Sequence, residues 1–253
     1  MQLDRRSFAR RTALAAAASL GWSSRPLPAQ EPQTAPIRVR VWCEGTARKA
    51  TYPDDVDGAL GQYLGRMEDL RIARARLDDP NAGLSDAELD ATDVVVWWGH
   101  LRHDDLPADR SRAIVDRVKA AKIGFVALHA SCGSRPFRGL MGTTCEPGGW
   151  RDDGRPERIE FKAPDHPIAR GVEPFTIPQS AMFAEPFEVP APESVVFVSN
   201  WGPGETFRSG LTWTVGKGRV AYLRPGHDAL PVFFHPSVRK VIANAARWAA
   251  NRA

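Results

Sequence analysis

Two short, unbroken apolar segments limit what this chain can fold into. Val94–Trp98 and Gly124–Leu128 contain no polar side chain, and the stretch between them has apolar residues at three- and four-residue steps, the spacing of a helix. Strands without polar alternation are typical of a parallel sheet that helices cover on both faces. The chain is therefore predicted to be an α/β protein with a mostly parallel central sheet.

The rest of the chain extends this pattern. Further strands are predicted over 37–42, 70–77, 158–162, 194–199, 207–215 and 219–223, and helices over 57–67, from 85, from 107, over 136–141 and over 236–251. The last two strands are predicted to pair as an antiparallel hairpin that turns at Gly216-Lys217-Gly218. The Gly- and Pro-rich stretch 142–156 is predicted to be a loop. Together these elements predict a three-layer sandwich with an added antiparallel hairpin.

Histidines follow three of the predicted strands. His100, His129 and His227 stand just beyond strand ends, and His103 follows in the pattern His-x-x-His-Asp. Ligands of open α/β sheets bind beyond the carboxyl ends of the strands, so we expect these imidazoles to converge. Neutral imidazoles can share a divalent cation, which predicts a metal site with zinc favoured over manganese. The alternative is a set of hydrogen-bonding residues in a binding cleft.

Seven ordered motifs resemble one family over nearly all of residues 37–250, the trehalose-utilisation (ThuA-like) family. They are Val96-Trp97-Trp98-Gly99-His100-x-x-His103-Asp104, Gly124-Phe125-Val126-Ala127-Leu128-His129, Phe137-Arg138-Gly139-Leu140-Met141-Gly142-Thr143-Thr144-Cys145, Asp165-His166-Pro167-Ile168, Glu185-Pro186-Phe187, Arg208-Ser209-Gly210 and Pro225-Gly226-His227. The resemblance implies a flavodoxin-like fold related to class I glutamine amidotransferases, and a role in sugar metabolism.

The resemblance also implies a reaction. The family is associated with the breakdown of trehalose and similar disaccharides through 3-keto intermediates made by a partner sugar 3-dehydrogenase. On such a glycoside a metal would polarise the C3 carbonyl, a base would remove the C2 proton, the C1 group would leave, and water would add. The candidate bases are Asp104, Glu185 and Asp228. The alternative is an exported module that binds a small carbohydrate without turning it over.

Three further residues are candidates for binding the sugar. Trp150 lies in the Gly-rich loop beside Arg151, and it is the tryptophan expected to be exposed, whereas most others are expected in the core. Arg208 could position a substrate hydroxyl or brace the hairpin. His166 and His235 each precede a proline and are interpreted as turn or helix-cap residues.

The sequence departs from related proteins at three places. The amidotransferases carry cysteine in a Gly-x-Cys-x-Gly elbow where this chain has His129, so amidotransferase activity is not expected. ThuA-like proteins tend to have histidine where this chain has Cys132 and Asp57. Cys132 could act as a thiol nucleophile, a disfavoured alternative because the elbow context is absent. In an exported protein it could also pair with Cys145.

The beginning of the chain is interpreted as an export signal. Residues 1–29 combine twin arginines with a short apolar stretch, which predicts a twin-arginine signal and a periplasmic or secreted protein without a membrane anchor. Residues 30–36 are predicted to be a flexible mature N-terminus, and 37–253 one domain. The signal holds five arginines against one aspartate, so the remainder of the +4 chain is near neutral and no nucleic-acid partner is expected. A homodimer is allowed by this sequence.

Overall fold

The computed structural model describes residues 35–250. The predicted export signal and residues 30–34 lie outside this range. The strands are β1 Ile37–Cys43, β2 Leu70–Arg76, β3 Val94–Trp98, β4 Gly124–Leu128, β5 Pro147–Phe161, β6 Phe175–Phe187, β7 Ser194–Gly202, β8 Glu205–Val215 and β9 Gly218–Leu223. The helices are α1 Asp55–Leu64, α2 Asp86–Asp90, α3 Ala108–Lys119, α4 Arg135–Met141 and α5 Pro236–Ala249.

The nine strands of residues 35–250 form one sheet, in the order β2-β1-β3-β4-β9-β8-β7-β5-β6. The first five strands of this order are parallel to one another. The last four pair antiparallel, beginning with the predicted β8–β9 hairpin. The α/β fold class is confirmed, and the antiparallel region is larger than the single hairpin expected because β5, β6 and β7 extend it.

Helices cover the parallel region on both faces. Val94, Val96 and Trp98 of β3 join a buried cluster with residues of α1 and α5, whereas Val95 and Trp97 join a second cluster with α3 and α4. Successive strand residues point to opposite faces, so a strand buried on both sides needs apolar residues at every position. The three-layer arrangement predicted from the unbroken apolar runs is confirmed.

Two local predictions failed in the antiparallel region. The stretch predicted as a loop over 142–156 is largely the first part of β5, and β6 was not predicted at all. The β5–β6 pairing changes register at three places, and β6 contains Pro178 and Pro186. Bulged strands with prolines lack the regular alternation by which strands are recognised in a sequence.

Both edges of the sheet carry features that oppose pairing with another strand. The edge strand β2 has Arg71, Arg74 and Arg76, and the other edge strand, β6, has Pro178 and Pro186. Charges and prolines at sheet edges disfavour strand addition. The homodimer allowed by the sequence stays a prediction. None of the described helices is long and apolar enough to span a membrane.

Candidate functional site

The carboxyl ends of β3, β4 and β9 open into a cavity of about 330 Å³, a size typical of small-molecule sites. His100, His129 and His227, which follow these three strands, all line it. The ring centroids of His129 and His227 are 5.9 Å apart. The structure therefore brings together three histidines that are distant in sequence.

His129 lies on a sharp turn at the end of β4. Its φ of 54° is in the left-handed region, which non-glycine residues rarely adopt and which is found at strand-to-helix elbows that present a reactive side chain. Gly226 permits the close packing of the turn, because a Cβ atom there would lie 2.7 Å from Cβ of His129. The backbone thus fixes the direction of this imidazole.

Hydrogen bonding and burial also fix the protonation of His129. Its Nδ1 lies 3.2 Å from the carbonyl oxygen of Arg224, so Nδ1 carries the proton and donates it, and Nε2 keeps a free lone pair. The side chain is 4% exposed. Burial, followed by the nearby Arg224 and His227, holds the pKa of His129 well below its ordinary value. A neutral imidazole therefore offers Nε2 to the cavity as a proton acceptor.

His227 has the opposite tautomer. Its Nδ1 accepts hydrogen bonds from the backbone N–H groups of Ala229 (2.9 Å) and Leu230 (3.1 Å). The proton of the neutral ring is therefore on Nε2, which donates to Oδ1 of Asp152 at 3.2 Å. Oδ1 of Asp228 lies 3.1 Å from Nδ1. Both carboxylates line the cavity with the ring.

His100 and His103 belong to a loop that Glu44 holds against the end of β1. The buried Glu44 carboxylate accepts the backbone N–H groups of Leu101 (2.5 Å) and Arg102 (3.0 Å). Nδ1 of His100 and Nδ1 of His103 are buried without a hydrogen-bond partner within residues 35–250. His103 packs against Gly133 and does not line the cavity, and burial lowers its pKa.

Two of the three candidate bases, Asp228 and Asp104, occupy different environments. Asp228 lines the cavity. Asp104 is an exposed side chain that forms ion pairs with Arg138 and Arg135. The structure thus brings Asp228 to the histidines, and it does not bring Asp104 there.

Glu185 and Arg208 bind each other outside the cavity lining. Nε of Arg208 donates to Glu185 at 2.9 Å, and the backbone N–H groups of Arg208 and Phe187 donate to the same carboxylate. Burial raises the pKa of Glu185, but these hydrogen bonds outweigh it and the net pKa is lowered. In the described structure, Glu185 braces the start of β8 together with the end of β6.

Of the other predicted sugar-binding residues, Trp150 is at the cavity and Arg151 is not. Trp150 lines the cavity with its side chain 71% exposed, as expected for a stacking face, while most other tryptophans are buried as predicted. Arg151 forms ion pairs with Glu205 and Asp153. His166 and His235 cap the turn or helix that follows each of them, which confirms the structural roles predicted.

The predicted histidine metal site has suitable donors, but these donors are not arranged for one ion. Within residues 35–250, the side chains of His, Cys, Asp and Glu place three ligand atoms within 4.8 Å of one another only at Cys43, Asp55 and Asp57. The cavity histidines form no such group, and both nitrogens of His227 have protein partners. Zinc or manganese at these histidines stays a prediction.

The Cys43, Asp55 and Asp57 group is neutralised by the protein itself. Asp57 pairs with Arg74 at 2.7 Å and Asp55 with Lys49 at 3.0 Å. Burial strongly raises the pKa of the Cys43 thiol, so the thiolate that a metal requires is disfavoured. These contacts account for the cluster as an ion-pair network.

A thiol mechanism is not favoured at the cavity. Cys132 and Cys145 both line it, and both thiols are free. Burial raises the pKa of Cys132 to about 12, so the thiol stays protonated near neutral pH and is a weak nucleophile.

Two acidic residues of the cavity were not identified from the sequence, Glu146 and Asp152. Both lie at or near the start of β5, in the stretch that was predicted to be a loop. In that stretch the sequence indicated only the neighbouring Trp150 and Arg151 as site residues. The missing signal is the pairing of β5 with β6, which brings Asp152 beside His227 although 75 residues separate them.

A buried ion pair, Arg224 with Glu157, contacts residues that form the wall of the cavity. Arg224 and Glu157 have no exposed side-chain surface, and Nη1 of Arg224 lies 2.5 Å from Glu157. Arg224 also donates to the carbonyl of Ala181, and its guanidinium lies 5.0 Å from the ring centre of Phe183. Ala181 and Phe183 line the cavity, and the Arg224 carbonyl holds His129. The pair thus connects the end of β9 with β5, and the hydrogen bond to Ala181 connects it with β6.

Comparison with solved structures first defines the fold class. The structure is similar to a glutamine amidotransferase from Thermotoga maritima, with a TM-score of 0.52 and 12% identity over 85% of this chain and 98% of that chain. It is also similar to a ThuA-like protein from Bacteroides uniformis, with a TM-score of 0.63 and 14% identity over 88% of this chain and 95% of that chain. A ThuA-like protein from Parabacteroides merdae has a TM-score of 0.65 and 13% identity over 85% and 90%. The chain therefore has the flavodoxin-like fold of class I amidotransferases.

The sequence then defines the family. The ThuA family, described as trehalose utilisation, matches residues 38–249. No curated protein matches the chain. The chain belongs to the ThuA family, as its seven motifs predicted, and this family is associated with carbohydrate metabolism.

Proposed function

We propose that this protein is a carbohydrate-processing enzyme that cleaves an oxidised glycoside, a 3-keto disaccharide such as 3-keto-trehalose, by elimination followed by addition of water. The observation that carries the proposal is the free lone pair on Nε2 of the buried, neutral His129. The family association with trehalose utilisation supports the choice of a sugar.

In the elimination, His129 moves one proton from C2 of the sugar to the departing C1 oxygen. The C3 carbonyl acidifies the C2 hydrogen, and Nε2 of His129 accepts that proton as the C2–H bond breaks. The electron pair forms the C1=C2 bond and expels the C1 oxygen. Because burial lowers the pKa of His129, its imidazolium readily gives the proton to the departing oxygen. Water then adds across the double bond, which completes a net hydrolysis.

Other side chains bind and orient the sugar. Trp150 offers an exposed ring face on which a sugar ring can stack. His100 lines the cavity, and its imidazole can present an N–H to the developing enolate oxygen at C3. Asp152 and Asp228 accept hydrogen bonds from sugar hydroxyls. Asp228 keeps its predicted role as a candidate base, as an alternative to His129.

A divalent cation remains part of the proposal as a prediction. Zinc or manganese would be held by His100, His129 and His227, with His103 behind them, and the elimination described above does not depend on the ion. Elemental analysis of protein purified without a histidine tag tests it. One equivalent of metal, lost when His129 is replaced, would assign His129 to the metal and leave Asp228 as the base.

The proposal includes the cellular setting expected from the sequence. The protein would be exported by the twin-arginine route to the periplasm or beyond, and it would receive its keto sugar from a partner sugar 3-dehydrogenase. Fractionation of cells that express the full chain tests the export, with Arg5→Lys/Arg6→Lys as the variant expected to stay inside.

The decisive experiment follows the C2 hydrogen. We expect purified protein in D2O to exchange the C2 hydrogen of 3-keto-trehalose for deuterium and to release the free sugars. His129→Ala should slow both by about 10²- to 10⁴-fold, and Asp116→Asn, which changes an exposed acid on α3, should change neither. Binding of the keto sugar without exchange or cleavage would reject the enzyme and favour the non-catalytic sugar-binding module.

A further inference from the structure

The cavity combines acidic side chains with an absence of fixed positive charge. Among residues 35–250, its lining includes the carboxylates of Glu146, Asp152 and Asp228 but no lysine or arginine. None of the three forms an ion pair with a lysine or arginine of residues 35–250. By contrast, Glu157 is paired with Arg224, and Glu185 is paired with Arg208. The negative charge of the cavity is therefore not neutralised by the described residues, and a cationic ligand can pair with it.

The cavity also offers hydrogen-bond acceptors that have no donor. Nε2 of His129 bears a lone pair on a side chain that is 4% exposed and lines the cavity. Oδ1 of Asp228 lies 3.1 Å from Nδ1 of His227, which already accepts two backbone N–H groups, so two acceptor atoms face each other. Asp228 accepts no side-chain hydrogen bond in the described part of the chain. A ligand that fills this site has to bring the donors.

We infer that the cavity selects its sugar by charge, through Glu146, Asp152 and Asp228: it binds a sugar that carries a protonated amine most tightly, the neutral sugar less tightly, and a uronate or sugar phosphate least. This inference rests on the proposed function only in that the ligand is a sugar. An ammonium group supplies three donors and a positive charge, whereas an anionic group adds like charge and further acceptors. The exposed face of Trp150 contributes the stacking surface common to all three sugars.

Calorimetry with sugars that have no keto group tests the order of affinity without turnover. The full chain, treated with chelator, is titrated with glucosamine at a pH where its amine is protonated, and with glucose, glucuronate and glucose 6-phosphate. We expect glucosamine to bind roughly tenfold more tightly than glucose. This difference corresponds to about the combined binding free energy expected from three partly exposed ion pairs. Neither anionic sugar should bind measurably. Raising the salt concentration should reduce the preference for glucosamine.

Matched variants assign the selection to the cavity. Glu146→Gln, at an exposed position where folding is not at risk, and Asp152→Asn should each reduce the preference for glucosamine by a few-fold. Asp116→Asn removes the same charge from the outside of α3 and should leave the preference unchanged. Equal affinity for glucosamine and glucose, tighter binding of glucuronate, or failure of glucosamine to bind would each overturn the inference. Loss of keto-sugar cleavage with the affinity order intact would overturn only the proposed function.

Discussion

The parallel and antiparallel regions of the sheet contribute different chemistry to the same cavity. The parallel region supplies the imidazoles, because β3, β4 and β9 end there and each is followed by a histidine. The antiparallel region supplies Asp152, Trp150 and the wall formed by Ala181 and Phe183. The parallel region thus holds the proton acceptor in place, and the antiparallel region surrounds the ligand. Substitutions in the two regions should therefore have separable effects.

The largest effect is expected for His129 in the parallel region. His129→Ala removes the proton acceptor, and we expect kcat on the keto sugar to fall by about 10²- to 10⁴-fold, the usual contribution of a general base. Alanine keeps a Cβ atom at the same left-handed φ, so the substitution adds no backbone strain. Steady-state kinetics measure the effect, and circular dichroism checks that the fold is kept. A variant with near-normal kcat would remove His129 from the mechanism.

The next effect, on stability, comes from the ion pair that joins the two regions. Glu157→Ala leaves the guanidinium of Arg224 buried without its partner, so the free energy of unfolding should fall by about 3–5 kcal/mol in a denaturant titration. The double variant Glu157→Gln/Arg224→Met removes both charges and should recover a large part of that loss. Equal losses in the single and double variants would show that the pairing is not what stabilises this junction.

The contrast between the two regions also explains what could be predicted from the sequence. Strands β3 and β4 were predicted with their true bounds because full burial leaves an uninterrupted apolar run, and the position of His100 and His129 followed directly. β6 gave no such signal, since one of its edges is unpaired and it contains prolines.

Contacts between distant segments were the second limit on the prediction. Asp152 faces His227 only because β5 pairs with both β6 and β7, a long-range pairing that no local pattern reveals. The tautomers of His129 and His227 were likewise unpredictable, because backbone groups set them.

A pH effect on stability should come from His129. Its pKa in the folded protein lies well below the unfolded value of about 6.5, so the unfolded chain binds more protons between these two values. Stability is therefore full above about pH 6.5 and should fall as the pH drops below it, by up to about 1.4 kcal/mol per pH unit. Urea titrations of the protein and of His129→Gln from pH 7.5 to about pH 5 measure the difference. Parallel stability curves for the two proteins would contradict the neutral, buried state of His129.

A smaller effect is expected in the antiparallel region, at Trp150. Trp150→Ala removes the exposed stacking face, so KM for the keto sugar should rise by roughly three- to tenfold with kcat little changed. Because the ring is 71% exposed, the free energy of unfolding should stay within about 0.5 kcal/mol of the unmodified protein. Trp213→Phe, in the buried core, is the opposite control, with lower stability and an unchanged KM. A fall in kcat at constant KM would place Trp150 in the chemical step.

The smallest effect is expected at Asp104, which follows the β3 end but lies outside the cavity. Its side chain is 76% exposed and pairs with Arg138 at 3.0 Å on the surface of α4. A carboxylate held there cannot reach a proton on a sugar that contacts His129, so Asp104→Asn should keep kcat within about twofold. Asp228→Asn, which changes the same group inside the cavity, should reduce kcat by more than tenfold. If Asp104→Asn lost activity and Asp228→Asn did not, the loop that carries His100 and His103 would have to close over the ligand and bring Asp104 inside.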